Sequence, residues 1–175
     1  MDFNKMLEKL TLSDKVIGAS AILLLIFSFF PWYDFTVSTT IAGVGGGHVT
    51  GGARSGWSYF LFGIIPVLLA LIMLAQIIVT RFTETKLPDL PVTWAQVHVI
   101  AGGLAAFLIF LRLVLADSRG TGGFSLAGTG IHIAANRKFG LFLAFLAAIG
   151  LVVGAVLKLR EPAAEAGGAT PPPAI

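Results

Sequence analysis

Thr40-Ile41-Ala42-Gly43-Val44-Gly45-Gly46-Gly47-His48-Val49 decides the predicted fold, because Ser125-Leu126-Ala127-Gly128-Thr129-Gly130-Ile131-His132-Ile133 follows nearly the same pattern. Both stretches run from a hydroxyl residue and an aliphatic residue through Ala-Gly to a further Gly, a His and a β-branched residue. A basic residue comes after each of them, Arg54 and Arg137. The internal match predicts one unit used twice, with chance similarity in a chain rich in Gly and Ala as the alternative.

The composition indicates a membrane protein. Of the 175 residues, 56% are hydrophobic and 12% are charged, whereas a soluble domain carries about 25% charged residues. The apolar residues fall into four runs separated by polar or Gly-rich connectors, so the lipid bilayer is the predicted surrounding. Because the chain has no Cys, disulfides and thiolate chemistry are excluded.

The four runs predict an all-α transmembrane fold, a four-helix bundle with both termini in the cytoplasm. The membrane domain covers residues 13–160, with spans at about 16–33, 57–79, 94–116 and 139–157. The outer loops 34–56 and 117–138 each contain a segment with strand propensity, a Gly cluster and a return segment. We expect these two hairpins to form a small extracytoplasmic β layer.

The two ends of the chain are predicted to lie outside the bundle. Residues 1–12 place Phe3, Met6, Leu7 and Leu10 on one helical face, which is typical of an amphipathic helix at the membrane interface. A plain cytoplasmic extension is the alternative. Residues 161–175 are rich in Gly, Ala and Pro and predict a disordered cytoplasmic tail.

The placement of Lys and Arg predicts the orientation. One side of the membrane would hold Lys5, Lys9, Lys15, Arg81, Lys86, Lys158 and Arg160, and the other side Arg54, Arg119, Arg137 and Lys138. The excess of positive residues favours the first side as cytoplasmic. Both connectors then lie together outside, and an axis along the membrane normal would relate the two halves.

Polar residues within the predicted spans are the first functional candidates, because a bilayer offers them no water. Gln76 and His98 are expected at similar depth, where they could share an interhelical hydrogen bond worth about 1 kcal/mol. Arg112 lies near the opposite interface, where it could reach the headgroups or pair with Asp34 or Asp117. A proton relay through His98 is the functional alternative.

His48 and His132 occupy equivalent positions in the two similar stretches. If the hairpins met across the pseudo-axis, the two imidazoles could bind zinc or copper, although two His without nearby carboxylates make a weak metal site. A pair of histidines on a strand surface is the alternative. No motif predicts a cofactor, a catalytic residue or nucleic-acid binding, since the Gly clusters lack the remaining features of a phosphate loop.

Small residues in two spans predict close helix packing. Gly150 and Gly154 form a GxxxG pattern, and Gly102 and Gly103 provide a similar surface in the preceding span. Such residues let helix backbones approach one another. Contact within one bundle and contact between subunits are both open.

Two stretches carry a resemblance. Phe30-Pro31-Trp32-Tyr33 and the run from Arg137 to Gly150 resemble small four-span bacterial inner-membrane proteins of unassigned function, common in high-GC Gram-positive genomes. The resemblance implies a multi-pass protein of the bacterial cytoplasmic membrane and no catalytic residue or substrate. The layout of two outer loops on four helices is similar to that of claudins by architecture only, because the extracellular cysteine pair of that family is lacking.

These features favour an integral-membrane interaction or structural protein over an enzyme. It would be an accessory or self-assembling subunit that docks other membrane proteins, or copies of itself, through its outer loops and small-residue helix faces. An oligomeric channel or transporter subunit is the alternative, with Gln76, His98 and Arg112 facing a shared pathway. A metal sensor using His48 and His132 is a weaker third hypothesis.

Overall fold

The computed structural model of the protein describes residues 8–83, 92–115 and 121–161. Its elements, in chain order, are helix α1 (Leu12–Ser28), strands β1 (Pro31–Ile41) and β2 (Gly45–Ser55), a 3₁₀ turn (Gly56–Ser58), a π-helix (Phe60–Ile64) leading into α2 (Ile65–Phe82), α3 (Trp94–Val114), β3 (Gly122–Leu126), β4 (Thr129–Arg137) and α4 (Phe139–Arg160). Most of the predicted amphipathic helix and residues 162–175 of the predicted tail lie outside the described residues.

The prediction of an all-α transmembrane four-helix bundle is wrong. Four strands form one antiparallel sheet beside the helices, and strands make up 26% of the described residues. Among these residues, three helices are long and apolar enough to cross a membrane, Phe60–Phe82, Trp94–Val114 and Phe139–Arg160. They indicate a membrane-associated protein. Helix α1 has 17 residues, so it extends about 25 Å, less than the ~30 Å hydrocarbon core.

Helix α1 begins earlier and ends earlier than the predicted span 16–33. The Thr11 hydroxyl accepts a hydrogen bond from the Asp14 backbone N–H, while the Asp14 carboxylate accepts one from the Thr11 N–H. This reciprocal capping box fixes the start of the helix. Two residues lie between the end of α1 and Pro31, which opens β1, so Pro31, Trp32 and Tyr33, which were predicted to end the span 16–33, belong to the sheet.

The sheet has the strand order β2-β1-β4-β3, which does not support the predicted internal repeat. A two-fold relation between the hairpins would pair equivalent strands, β1 with β3 or β2 with β4. Instead β1, the first strand of one hairpin, pairs with β4, the second strand of the other. In this arrangement each pair of neighbouring strands is antiparallel, and the two hairpin turns lie at the same end of the sheet.

The two hairpin turns contact each other. In the second turn, Ala127 and Gly128 have φ values of 49° and 83°, as a two-residue turn between antiparallel strands requires. A Cβ added to Gly128 would lie 2.7 Å from the Cβ of Ala42 in the first turn. The ends of both hairpins therefore form one tip, which lies at the far end of the strands from the helices.

The core lies among the four helices and at the base of the sheet. Helix α1 packs on α4 through fully buried aliphatic residues and alanines, and the cluster continues to the aromatic residues that open β1 and precede α2. Its members include Ile17, Ala21, Leu24, Trp32, Tyr33, Tyr59, Leu141, Ala144, Ala148 and Leu151. The sheet beyond Asp34 is half-buried or exposed on both faces.

Candidate docking surface and buried polar groups

The sheet divides into a base that packs on the helices and a distal part that projects from them. At the base, Trp32, Tyr33 and Asp34 are buried, and the Lys138 N–H donates to the Trp32 carbonyl over 2.8 Å. Two irregularities in the β1–β2 register lie here, between Pro31 and Phe35. Beyond them the pairing is regular as far as the tip.

The two faces of the distal sheet differ in polarity. Residues directly opposite on neighbouring strands share a face, and successive residues alternate. The register therefore places hydroxyls and imidazoles on one side, the polar face, formed by Thr36, Ser38, Thr40, His48, Thr50, Ser125 and His132. The apolar face on the other side is formed by Phe35, Val37, Ile41, Val49, Phe124, Leu126, Ile131 and Ile133.

Much of the apolar face is open to solvent. Val49 is 70% exposed, and Phe124 and Leu126 are each 67% exposed. A contiguous apolar surface of this kind is uncommon on a protein that does not use it for contact. Within the part of the chain that the structure describes, no helix or loop covers this face, which makes it the candidate docking surface.

The two histidines lie in one row of the polar face. Ser38 of β1 pairs with His48 of β2 on one side and with His132 of β4 on the other. The two backbones are therefore separated by two strand spacings, about 10 Å. The His132 ring lies beside Gly123 on the side away from His48, since a Cβ on Gly123 would come 3.3 Å from His132 Cδ2. Within one copy the structure does not bring the two imidazoles together.

A shallow groove of about 230 Å³ runs along this face and is lined by Ser38, Thr40, Ser125 and His132 together with glycines and neighbouring residues of β3 and β4. Its polar groups are neutral hydroxyls and one imidazole. Among the described residues no group of three or more His, Asp or Glu could hold a metal ion. The geometry of one copy therefore gives no support to the metal-sensor hypothesis.

Gln76 and His98 are both buried but do not bond each other. The Gln76 Nε2 donates to the Thr80 hydroxyl over 2.9 Å, and the His98 Nδ1 lies 2.7 Å from the Trp94 carbonyl. Each side chain thus finds a partner one turn away on its own helix. Gln76 Oε1 and His98 Nε2 make no hydrogen bond among the described residues.

Arg112 is held between two tyrosine rings. Its guanidinium carbon lies 3.9 Å from the Tyr59 ring centroid and 4.5 Å from that of Tyr33, and the side chain is buried. The Tyr33 hydroxyl donates to the Arg112 carbonyl over 2.7 Å. Asp34, one of the predicted partners of Arg112, forms an ion pair with Lys138 instead, at 2.5 Å.

His98 and Arg112 lie at opposite ends of α3. Fourteen residues separate them along the helix, which is about 21 Å. The three polar residues singled out in the sequence therefore do not line one continuous site within one copy. The alternative of a channel or transporter subunit gains no support from their placement.

A buried ion cluster ties three helices together at the end of the bundle opposite the sheet. Asp14 of α1 accepts from Arg81 of α2 at 2.7 Å and from Lys158 of α4 at 2.5 Å. Burial alone would raise the pKa of the Asp14 carboxyl, but the hydrogen bond and charge of Lys158, together with Arg81, outweigh it and lower the pKa below its ordinary value. Sequence analysis missed this site, because its members are 67 and 144 residues apart.

The four glycines predicted to pack occupy different surroundings. Gly150 and Gly154 face α1, where a Cβ on Gly154 would lie 2.7 Å from Ile17 Cγ1. Gly102 faces the Leu151 carbonyl of α4, at 3.4 Å from such a Cβ. Gly103 has no neighbouring atom within 4 Å of that position. Three of these glycines therefore serve contacts within the bundle, and Gly103 lies on an open part of α3.

Comparisons with known proteins find no protein-family model and no curated protein that matches this chain. The resemblance to small four-span bacterial membrane proteins therefore stays a prediction.

Proposed function

We propose that this protein is an integral-membrane interaction protein, an accessory or self-assembling subunit of a larger membrane complex, that docks its partner through the distal sheet. One observation carries the proposal. The distal sheet projects from the helices with an exposed apolar face, and no described residue of the chain covers it. A single sheet layer usually buries one face against a second layer, so this face is suited to a partner.

The charge pattern supports the same conclusion. Residues 35–53 and 122–136 contain no Asp, Glu, Lys or Arg. Exposed sheet edges usually carry charged residues, prolines or bulges that prevent pairing with other chains. Here the bulged, charged part of β2 is confined to the base near Arg54, and the strand from Gly45 to Gly51 has none of these features. The distal sheet is thus suited to contact with another protein surface.

The proposed location is the bacterial cytoplasmic membrane, with the distal sheet on the extracytoplasmic side. The Lys and Arg count near the helix ends supports this orientation. The ion cluster of Asp14, Arg81 and Lys158 would then lie at the cytoplasmic end, where Lys and Arg are commonest. The interaction would therefore take place outside the cell membrane.

Isolation of a tagged copy from its native membrane tests the proposal. We expect crosslinking followed by blue-native electrophoresis in mild detergent to give an assembly larger than the 18.4 kDa chain. Val49→Lys, on the apolar face, should reduce this assembly, whereas Thr50→Lys, the next residue on the polar face, is the matched control. A monomer without any copurifying or crosslinked protein would contradict the proposal.

A further inference from the structure

We propose that the partner of the apolar face is a second copy of this chain, and that two sheets pack face to face outside the membrane. The inference rests on the proposed function and names the occupant of its docking surface. The row Val49–Val37–Ile133 crosses the middle of three neighbouring strands on this face. It is flanked toward the tip by Ile131 and Phe124, which are paired on β4 and β3.

The composition of the apolar face favours a copy of itself. Thr39 and Thr129 are its polar residues, and no charged side chain lies on it beyond the Phe35 row. At the base, the Arg54 guanidinium lies 4.6 Å from the Phe35 ring centroid and ends the apolar surface. Two such faces can meet without bringing like charges together, and apolar side chains of two sheets interdigitate at a spacing of about 10 Å.

The membrane restricts which symmetric contact is possible. Two copies inserted in one bilayer point their sheets the same way, so a two-fold axis between them must lie along the membrane normal. Rotation about that axis keeps the strand direction and turns the apolar face of one copy toward that of the other. In an edge-to-edge contact, the same axis would pair β2 with a parallel copy of itself and would continue the apolar face of one copy into the polar face of the other. Face-to-face packing avoids both and brings the two apolar faces together.

The small area of the face limits the strength of the contact. Four strands span about 19 Å, and the seven residues from Phe35 to Ile41 extend about 23 Å. The face therefore covers roughly 400 Å² per copy, or about 800 Å² for the pair, below the ~1,200 Å² of stable complexes. The contact should form between copies held in one membrane and be lost on dilution into detergent, so the test has to be made in membranes.

Because the chain has no Cys, single cysteines can mark each face. In the two-fold arrangement β1 of one copy lies opposite β4 of the other. We would express Val37→Cys with one tag and Ile133→Cys with another, and treat membranes with a bismaleimide that spans the ~10 Å between packed sheets. Ser38→Cys with His132→Cys is the matched control, since these residues form the adjacent row on the polar face.

We expect the apolar-face pair to give a product carrying both tags, at least tenfold more than the polar-face pair. Equal yields from the two faces would overturn the inference. If Val37→Cys is crosslinked to another protein and not to the second copy, the inference fails while the proposed function stands. If neither face gives any product and the chain migrates as a monomer, both fail.

A fluorescence measurement separates a second copy from the lipid surface. A bimane label on Val37→Cys should be insensitive to brominated lipids, as should a label on Ser38→Cys. Quenching confined to Val37→Cys would show that the apolar face lies on the bilayer, and this result would overturn the inference.

Discussion

The helical part of the molecule and the distal sheet differ in their content of charged side chains. The helices bury charged side chains in specific contacts, such as that of Asp14 with Lys158 and the partly buried Arg81. The distal sheet has no charged side chain although it is exposed on both faces. The two regions therefore have different roles. Buried charges hold the helices in one arrangement, whereas the uncharged sheet leaves a surface that another molecule can cover.

The largest loss of stability is expected from Asp14→Asn. The substitution leaves the buried Lys158 ammonium without the carboxylate that it contacts and weakens the hold on the partly buried Arg81, and removing one member of a buried ion cluster costs about 3–5 kcal/mol. Asp34→Asn is the matched control, because solvent reaches its partner Lys138, which is 42% exposed, and screens the pair, so that the loss should be smaller, on the order of 1 kcal/mol. Thermal unfolding in detergent measures both. Equal losses for the two variants would contradict a special role for the cluster.

The same cluster predicts a pH dependence. Because the pKa of Asp14 is lower in the folded protein, its contribution is fully present above the ordinary carboxyl pKa of 3.8 and is lost as pH falls through the lower folded value. The stability difference between the wild type and Asp14→Asn should therefore be constant near neutral pH and shrink only in strong acid. A stability difference that already disappears near pH 6 would contradict a lowered pKa of Asp14 in the folded protein.

The next largest loss of stability is expected from a substitution at the α1–α4 contact. Gly154→Leu would force a side chain against Ile17 and should destabilise the protein by about 1–3 kcal/mol. Gly103→Leu is the control, since the space beside Gly103 is open and a helix-forming residue there should cost nothing. The unfolding temperature of Gly154→Leu should lie well below the wild-type value, and that of Gly103→Leu should stay at or above it. Similar losses for both would show that Gly103 is also packed.

A smaller effect is expected at the base of the sheet. Tyr33→Phe keeps the ring beside Arg112 but removes the hydroxyl that donates to the Arg112 carbonyl, which should cost about 1 kcal/mol. Tyr33→Ala removes the ring contact as well and should cost more. Thermal unfolding, followed by tryptophan fluorescence, measures the difference.

The smallest effect is expected on the polar face. His48→Ala and His132→Ala are exposed substitutions and should change the free energy of unfolding by less than about 0.5 kcal/mol. Addition of zinc should not change the unfolding temperature of the wild type. A zinc-dependent increase that both substitutions abolish would show that copies bring their histidines together.

Local features of the chain could be predicted, and distant pairings could not. The apolar runs gave three helices close to their observed bounds, and both connectors contain the hairpins that their turn residues indicated. Pro31-Trp32-Tyr33 was misassigned to the end of a span, because a Pro and interfacial aromatics end a helix and start a strand equally well. The β1–β4 pairing and the Asp14 cluster join residues far apart in the sequence, and no local pattern encodes them.

The junctions between strands and helices have a mechanical consequence. Two residues separate α1 from β1, one separates β4 from α4, and none separates β2 from the 3₁₀ turn. At these three described junctions, at most two residues lie between a strand and the neighbouring helix, so the distal sheet should follow the motion of the helices. With an arm of about 36 Å for the eleven residues of β1, a helix tilt of about 10° would move the tip by on the order of 6 Å. A force on the tip would thus exert a torque on the helices.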